Sequence, residues 1–471
     1  MPYGEGELEF MLQPWFDLDI VESGTATPVG DLRAETIRRL AAPLGSPALR
    51  KLAVDAGKRA APRKARAIIA VTDLTRASPD AVLVPPLLDE LNAGGIADAE
   101  ITVMIGVGLH RATTDPEKRE KLGTVVDRVR VVDSDGRDPA KWADLGAIPP
   151  YGVPGFTQKL VKDADLVVAT GIVEPHQYAG WSGGRKTVAI GCCGEPVITA
   201  THGMRFLEDP GVRLAKIDGN PFHETVREIA RRAGLLFCLN VVTDDHERVV
   251  AVAAGDPDAV LADLVATAAA LYTQPIAKQY DIVIAGVGHP KDVNLYQASR
   301  AATYLRFAPT PVVREGGAII IPARLDEGAG GGAGEQRFFT ALERAPSPAA
   351  VVDEARRHFA GGEQRAVMVA LTLQWCQIVV AREGIGLARA SRVAHAAYRP
   401  VRRHGVADVS CGLRPCAVLR ALARAVRRAH CAAARAHRRV RRRPSRRDAS
   451  RARVARVSRA RPQNCASRNA A

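Results

Sequence analysis

Residues 171–194 read GIVEPHQYAGWSGGRKTVAIGCCG and set His176 ten residues before Lys186. An imidazole titrates near neutral pH and can both take and give a proton. An amine shielded among small residues can lose its proton and become a nucleophile or a covalent anchor for a cofactor; a solvated surface lysine is the competing reading of Lys186. Gly183 and Gly184 would let backbone amides approach an anion, and Arg185 could contact it directly. His202, in ITATHG, could ligate a metal through a neutral imidazole or be a satisfied histidine at a helix start. Gly180, Lys186 and Thr187 stand where a G-x-x-x-x-G-K-[ST] phosphate loop would put them. However, Arg185 replaces the last glycine and VAIGCCGEP is a poor helix, which argues against a nucleotide triphosphatase. Adjacent Cys192 and Cys193 lack a zinc-knuckle spacing and read as buried small hydrophobes.

Other titratable groups follow short apolar runs: Asp73, Thr75 and Arg76 in VTDLTR, His110 and Arg111 in GVGLHRATT, and Glu174 and His176 in TGIVEPH. In an open parallel sheet, ligands bind at the carboxyl ends of strands. Three polar strand ends therefore predict one converging site.

The elements that would position these groups are legible as ARAIIAVTD (65–73), ITVMIGVG (101–108), RVRVVD (128–133), ADLVVATG (164–171), DIVIAGVG (281–288) and GAIIIPARL (317–325). Runs that are apolar throughout predict strands buried on both faces, hence an α/β fold with largely parallel sheets. PDAVLVPPLLDELNAGG supplies one crossover helix. PFHETVREIARRAG supplies another, with Asn220 as N-cap and Pro221 at the first helical position. A break near YTQPIAKQYD divides an N-terminal cofactor-binding and catalytic domain (1–275) from a partial C-terminal α/β domain (276–381), with the active site between them; DEGAGGGAGEQ (326–336) reads as a flexible glycine loop.

The net charge of +15 is unevenly spread: residues 381–471 hold 25 Arg, no Lys and three acids, a net +22, leaving 41 basic against 48 acidic residues, −7, in residues 1–380. The body therefore gives no electrostatic case for nucleic acid or an anionic membrane. From 382 the chain is Arg/Ala-rich and patternless, read as a disordered or out-of-frame basic tail; the competing reading is an arm that binds nucleic acid through phosphates. No apolar run approaches the roughly 18 residues of a spanning helix. The acidic start MPYGEGELEF is no secretory leader, so the expected location is cytoplasmic.

The run VEPHQYAGWSGGRKTVAIGCCGEPVITATHGMRFLEDP, followed by GNPFHE, resembles the nickel-pincer lactate racemase family. D-x-T-R at 73–76, the His-Arg segment at 108–114 and N-x-Y-Q-A at 294–298 match in the same order, so the resemblance spans residues 3 to about 380. It implies that Lys186 anchors a pyridinium-3,5-bisthiocarboxylic acid mononucleotide through a thioamide and that His202 completes the coordination of its nickel; soft sulfur plus one imidazole suits that metal. Asp73, Thr75, Gly183, Gly184 and Arg185 would line the cofactor pocket. His110 and His176 would be the two acid/bases, Arg76 the partner of the substrate carboxylate, and Tyr296, Gln297 and Arg300 the substrate contacts from the second domain.

The implied reaction inverts a 2-hydroxy acid: one histidine takes the hydroxyl proton as hydride leaves the α-carbon for the cofactor. Hydride then returns to the opposite face of the planar 2-keto acid, with a proton from the other histidine. Cofactor-synthesis and nickel-insertion proteins would be partners. Arg300 stands where the lactate-specific pattern has lysine, which implies a larger 2-hydroxy acid or a sugar acid. The family also continues as an ordinary α/β domain where this chain turns arginine-rich. The competing function is a non-catalytic homologue that binds a small anion.

Overall fold

The computed structural model describes residues 1–10, 12 and 16–382; the tail expectations fall on residues outside these, apart from Arg382. Six strands build the larger sheet: β1 (Ala67–Thr72), β2 (Ile101–Gly106), β3 (Arg130–Asp133), β4 (Leu166–Ile172), β5 (Leu235–Thr243) and β6 (Val249–Gly255). Their order is β6-β5-β4-β1-β2-β3, and all neighbours are parallel except the hairpin β5–β6. β1 and β4 are buried almost throughout, as runs with no polar alternation require.

The chain moves outward from β1 to β2 and β3, then returns to place β4 on the other side of β1. The gap between β1 and β4 is thus the topological switch point of the sheet, where the loops diverge and leave a crevice. β1 and β2 run in step, Thr72 opposite Gly106, so the segments carrying Asp73 and His110 leave the sheet side by side.

Helices α1 (Asp80–Ala93), α2 (Glu195–Thr201), α3 (Pro221–Arg232) and α4 (Pro257–Tyr272) belong to this part of the chain. α3 starts as its sequence predicts. The Asn220 side chain accepts from the amides of Phe222 (3.0 Å) and His223 (3.2 Å), and Pro221 fills the position that needs no amide partner.

After Tyr272 an extended link leads to a second, fully parallel sheet, β7 (Tyr280–Ile284), β8 (Val313–Pro322) and β9 (Gln377–Ala381), in that order. Helices α5 (Leu295–Arg306) and α6 (Gln364–Trp375) pack on it around Phe338 and Ile319. The first residues join this unit: the Gly4 amide donates to Asp292 (2.7 Å) and its carbonyl accepts from His289 (2.8 Å). The glycine loop is shorter than its composition suggests, since Glu335 accepts from the Gly332 amide (2.8 Å) and a helix runs from Ala333 to Arg344. Among the described residues no helix is long and apolar enough to cross a membrane.

Candidate active site

The carboxyl end of β1 presents Asp73, whose two oxygens are used separately: one accepts from the Thr75 hydroxyl (2.8 Å) and the other pairs with Nδ1 of His110. A carboxylate only accepts, so Nδ1 of His110 carries the proton and Nε2 keeps its lone pair, the tautomer of a general base. Burial raises the Asp73 carboxyl, but the His110 hydrogen bond and the nearby charges outweigh it and hold the group below its ordinary value. His110 is exposed at the mouth of the crevice.

Across the switch point, Arg76 from the end of β1 donates to Glu174 from the end of β4 (2.6 Å). Glu174 thus orients the guanidinium, and the other Arg76 nitrogens remain available for a second anion. His176, two residues on, has the opposite tautomer to His110. Its Nδ1 accepts from the backbone amides of Tyr178 (3.3 Å) and Ala179 (3.1 Å), so the neutral ring carries its proton on Nε2 and donates there. Burial, reinforced by the positive charges of Lys186 and Arg76, pushes its pKa well below the ordinary value.

The stretch after β4 folds back against the sheet because its glycines permit a close approach. A Cβ at Gly184 would lie 2.9 Å from Sγ of Cys238 and 3.0 Å from Oδ1 of Asn240, and its amide donates to that same oxygen (3.1 Å). Gly183 adopts φ 142°, a conformation L side chains rarely take. These two glycines allow the close packing of this segment on β5. Arg185 pairs with Asp258 of α4 and meets His223 of α3 (3.2 Å), so its charge is compensated within the fold, and it lines a small pocket together with Gly183, Gly184 and Lys186.

Lys186 follows, and the chain passes into a π-helical turn at Thr187–Gly191 instead of the irregular segment its composition suggests; such turns recur at functional sites. Among the described residues the Lys186 amine has no hydrogen-bond or ion-pair partner. Burial and the charge of Arg76 push it down to about 8, so roughly a tenth is the nucleophilic free base at pH 7, far more than for an ordinary lysine.

His202 lies at the carboxyl end of α2, not at a helix start. Its Nδ1 donates to the Ile198 carbonyl (3.0 Å), which leaves the Nε2 lone pair free, the form that binds a metal. Its ring meets Tyr178 and Phe222 edge-on, both with centroids 5.3 Å away, and Tyr178 in turn touches His176 (5.7 Å). Asn220 ties this cluster together, since its amide nitrogen donates to the Tyr178 carbonyl (2.8 Å) while its oxygen caps α3.

Burial, with the charge of Lys186, pushes His202 from 6.5 down to about 4. A base whose folded pKa is depressed stays neutral in the fold and protonates first in the unfolded chain, so stability is lost as pH falls from about 6.5 toward 4. Between pH 7 and pH 5 the apoprotein should lose about 2 kcal/mol to this group. Urea unfolding of the protein and of His202→Gln at both pH values checks this: the variant's loss should be smaller by that amount, and equal losses would contradict it.

From the second sheet unit, α5 brings Tyr296 and Arg300 toward Tyr178; burial pushes the Tyr178 phenol up to about 12 against the opposing pull of Arg365 and Arg300. Gln297 is held by its backbone amide on Asn294 (2.9 Å), and no hydrogen bond links its side chain to the histidines. Arg365, on α6, is a residue sequence reasoning missed: it is buried, donates to Gln177 (3.1 Å) and Thr303 (2.9 Å), and lies over the Tyr296 ring (5.7 Å). The four described cysteines are buried and free, and burial pushes Cys192 up to about 12, which leaves it an inert thiol.

The donor set suits a tethered metal cofactor. Lys186 is an unpaired amine, His202 offers one free imidazole nitrogen, and no group of three His, Cys, Asp or Glu side chains among the described residues could hold a metal alone. A metal at His202 would need further ligands brought by a bound cofactor.

Parallel-sheet architecture with two imidazoles, an amine and guanidiniums at the switch point defines an α/β protein with an acid/base site of enzymatic type. Known proteins narrow that class. The family model for the lactate racemase N-terminal domain matches residues 3–215. The lactate racemase of Thermoanaerobacterium thermosaccharolyticum is 32% identical over 338 residues, covering 70% of this chain and 75% of that protein. That of Lactiplantibacillus plantarum is 32% identical over 327 residues, 68% of this chain and 72% of the relative. The solved lactate racemase apoprotein from Thermoanaerobacterium thermosaccharolyticum matches with a TM-score of 0.74 and 27% identity, covering 85% of this chain and 95% of the other. The chain belongs to the lactate racemase family, whose named members are isomerases.

Proposed function

We propose that this chain inverts the carbinol centre of a 2-hydroxy acid, as a racemase or epimerase carrying a nickel-pincer mononucleotide on Lys186. The observation that carries the reading is the pairing of an unpartnered Lys186 amine with a His202 whose Nε2 is free, beside His176. When bound, the cofactor supplies a reversible hydride acceptor.

The chain's own residues do the rest. Nε2 of His110, with Nδ1–H fixed on Asp73, takes the proton of the substrate hydroxyl; as hydride returns to the opposite face the product oxygen takes its proton from Nε2–H of His176, which regains one from solvent as His110 releases its own. Reaction in the reverse sense requires the two rings to exchange these roles, so Nδ1 of His176 must give up its bonds to the Tyr178 and Ala179 amides. Arg76, steadied by Glu174, holds a carboxylate while the planar intermediate turns, and Tyr296, Gln297 and Arg300 cover it from α5. Loading calls for proteins that synthesise the cofactor and insert nickel.

The test is chiral chromatography of D- and L-2-hydroxy acids, lactate first, incubated with protein made alongside those partners. Either enantiomer should relax toward an equal mixture. Unchanged enantiomers with fully loaded protein, across a panel of such acids, would sink the reading in favour of a binding protein.

A further inference from the structure

The cleft holds more positive charge than the mechanism uses. Arg365 is 5% exposed, and its guanidinium touches only neutral acceptors, Oε1 of Gln177 (3.1 Å) and Oγ1 of Thr303 (2.9 Å). Neither Arg365 nor Arg300 has a carboxylate within ion-pair distance among the described residues. A buried cation without a counter-charge is costly, and elsewhere this chain avoids that cost. Buried Lys121 sits 2.9 Å from Asp80, and Arg185 is paired with Asp258. Arg306, also short of a partner, is covered instead by the ring faces of Trp375 (4.2 Å) and Phe307 (5.2 Å).

The atoms around Arg365 repeat the imbalance. Nε of Arg365, Nε of Arg300, Nε2 of Gln177 and the hydroxyl of Tyr178 are buried with no hydrogen-bond partner. All four can donate, and three can only donate. A pocket rich in donors and poor in acceptors is completed by a ligand that brings acceptors and negative charge. It adjoins the reaction centre, because Tyr178 lies against both His176 (5.7 Å) and His202 (5.3 Å). Arg76 already has Glu174, so the uncompensated charge is that of the two guanidiniums from α5 and α6.

We propose that Arg365 binds a second carboxylate of the substrate whose first is held by Arg76 under the cover of Arg300, so that the preferred acid is a 2-hydroxydicarboxylate and Arg365 selects for its second carboxylate. The proposal rests on the 2-hydroxy-acid reading for the identity of the substrate, but its test does not depend on turnover. Succinate and propionate, which lack the hydroxyl and do not react, are titrated calorimetrically into the apoprotein and the cofactor-loaded protein.

Succinate should bind at least about tenfold more tightly than propionate in both, one charge-assisted contact being of that size. Arg365→Gln should bring the ratio to about one. Gln177→Glu, which supplies a carboxylate to Arg365 from within the fold, should do the same and raise the thermal midpoint, and it decides the matter if Arg365→Gln does not fold. A ratio near one in the unmodified protein, or a preference kept in the folded variants, overturns the proposal. So does a succinate preference seen in the apoprotein and lost on loading, which would assign the pocket to the anionic group of the cofactor. Loaded protein that racemises no 2-hydroxy acid while preferring succinate would sink the racemase reading alone; racemisation of lactate with no succinate preference would sink this proposal alone.

Discussion

Lys186→Ala should abolish turnover while leaving the fold intact. On the proposed function a cofactor tethered to Lys186 carries the difficult chemistry, so losing the tether should cost at least about 10³-fold, to the floor of detection. Protein expressed with the cofactor-synthesis partners should show added mass on the unmodified chain and none on the variant. The expectation follows from where the amine sits: it has no partner to lose, so its removal breaks no ion pair. Its pKa of about 8, against 10.5 in water, means that the fold bears a penalty for its charged form at neutral pH. That penalty disappears as pH rises from about 8 toward 10.5, where the unfolded chain still holds a proton that the folded one has released. The apoprotein variant should therefore melt at or above the temperature of the unmodified apoprotein at pH 7. A variant that unfolds would mean that Lys186 is a structural residue, and retained turnover would mean that the cofactor is held elsewhere.

Asp73→Asn tests the acid/base assignment. The carboxylate fixes the proton of His110 on Nδ1, whereas an amide can offer its NH₂ to that nitrogen and drive the proton to Nε2, where a base needs a lone pair. The expected loss in kcat is about 10²–10⁴-fold with little change in KM, the range for removing one positioned base. Steady-state kinetics on variant protein shown by mass to carry the cofactor would measure it; a loss below about threefold would mean that His110 does not depend on Asp73, because general-base effects are far larger than that.

Much of this site was legible because parallel strands buried on both faces leave few places for polar groups. Asp73, His110 and His176 stood out as titratable residues directly after such runs, and the switch point gathers those ends into one crevice. Partners distant in sequence were not legible. Arg185 looked like a free charge in a glycine-rich loop, and only the packing of α4, 73 residues on, brings Asp258 to it.

Arg365 stands in QRAVMVALTLQW, where a single arginine in an apolar helix reads as its solvent face. Its burial follows from α6 lying against α5 and the segment after β4, which no local pattern encodes. The β5–β6 hairpin escaped notice for a related reason. β6 is alanine-rich, and Asn240 interrupts β5 with a polar side chain that the fold uses to hold Gly184.

The central claim is that inversion proceeds by removal and return of hydride at the α-carbon, with the histidines handling only the hydroxyl proton. The most direct measurement is racemisation of 2-deuterated lactate, or of 2-deuterated malate if the dicarboxylate is preferred, by cofactor-loaded protein in ordinary water. Hydride held in the site returns to the same carbon, so the inverted product should retain its deuterium. Loss of that deuterium to solvent in step with inversion would show that a histidine removes the α-hydrogen as a proton, and would contradict the account.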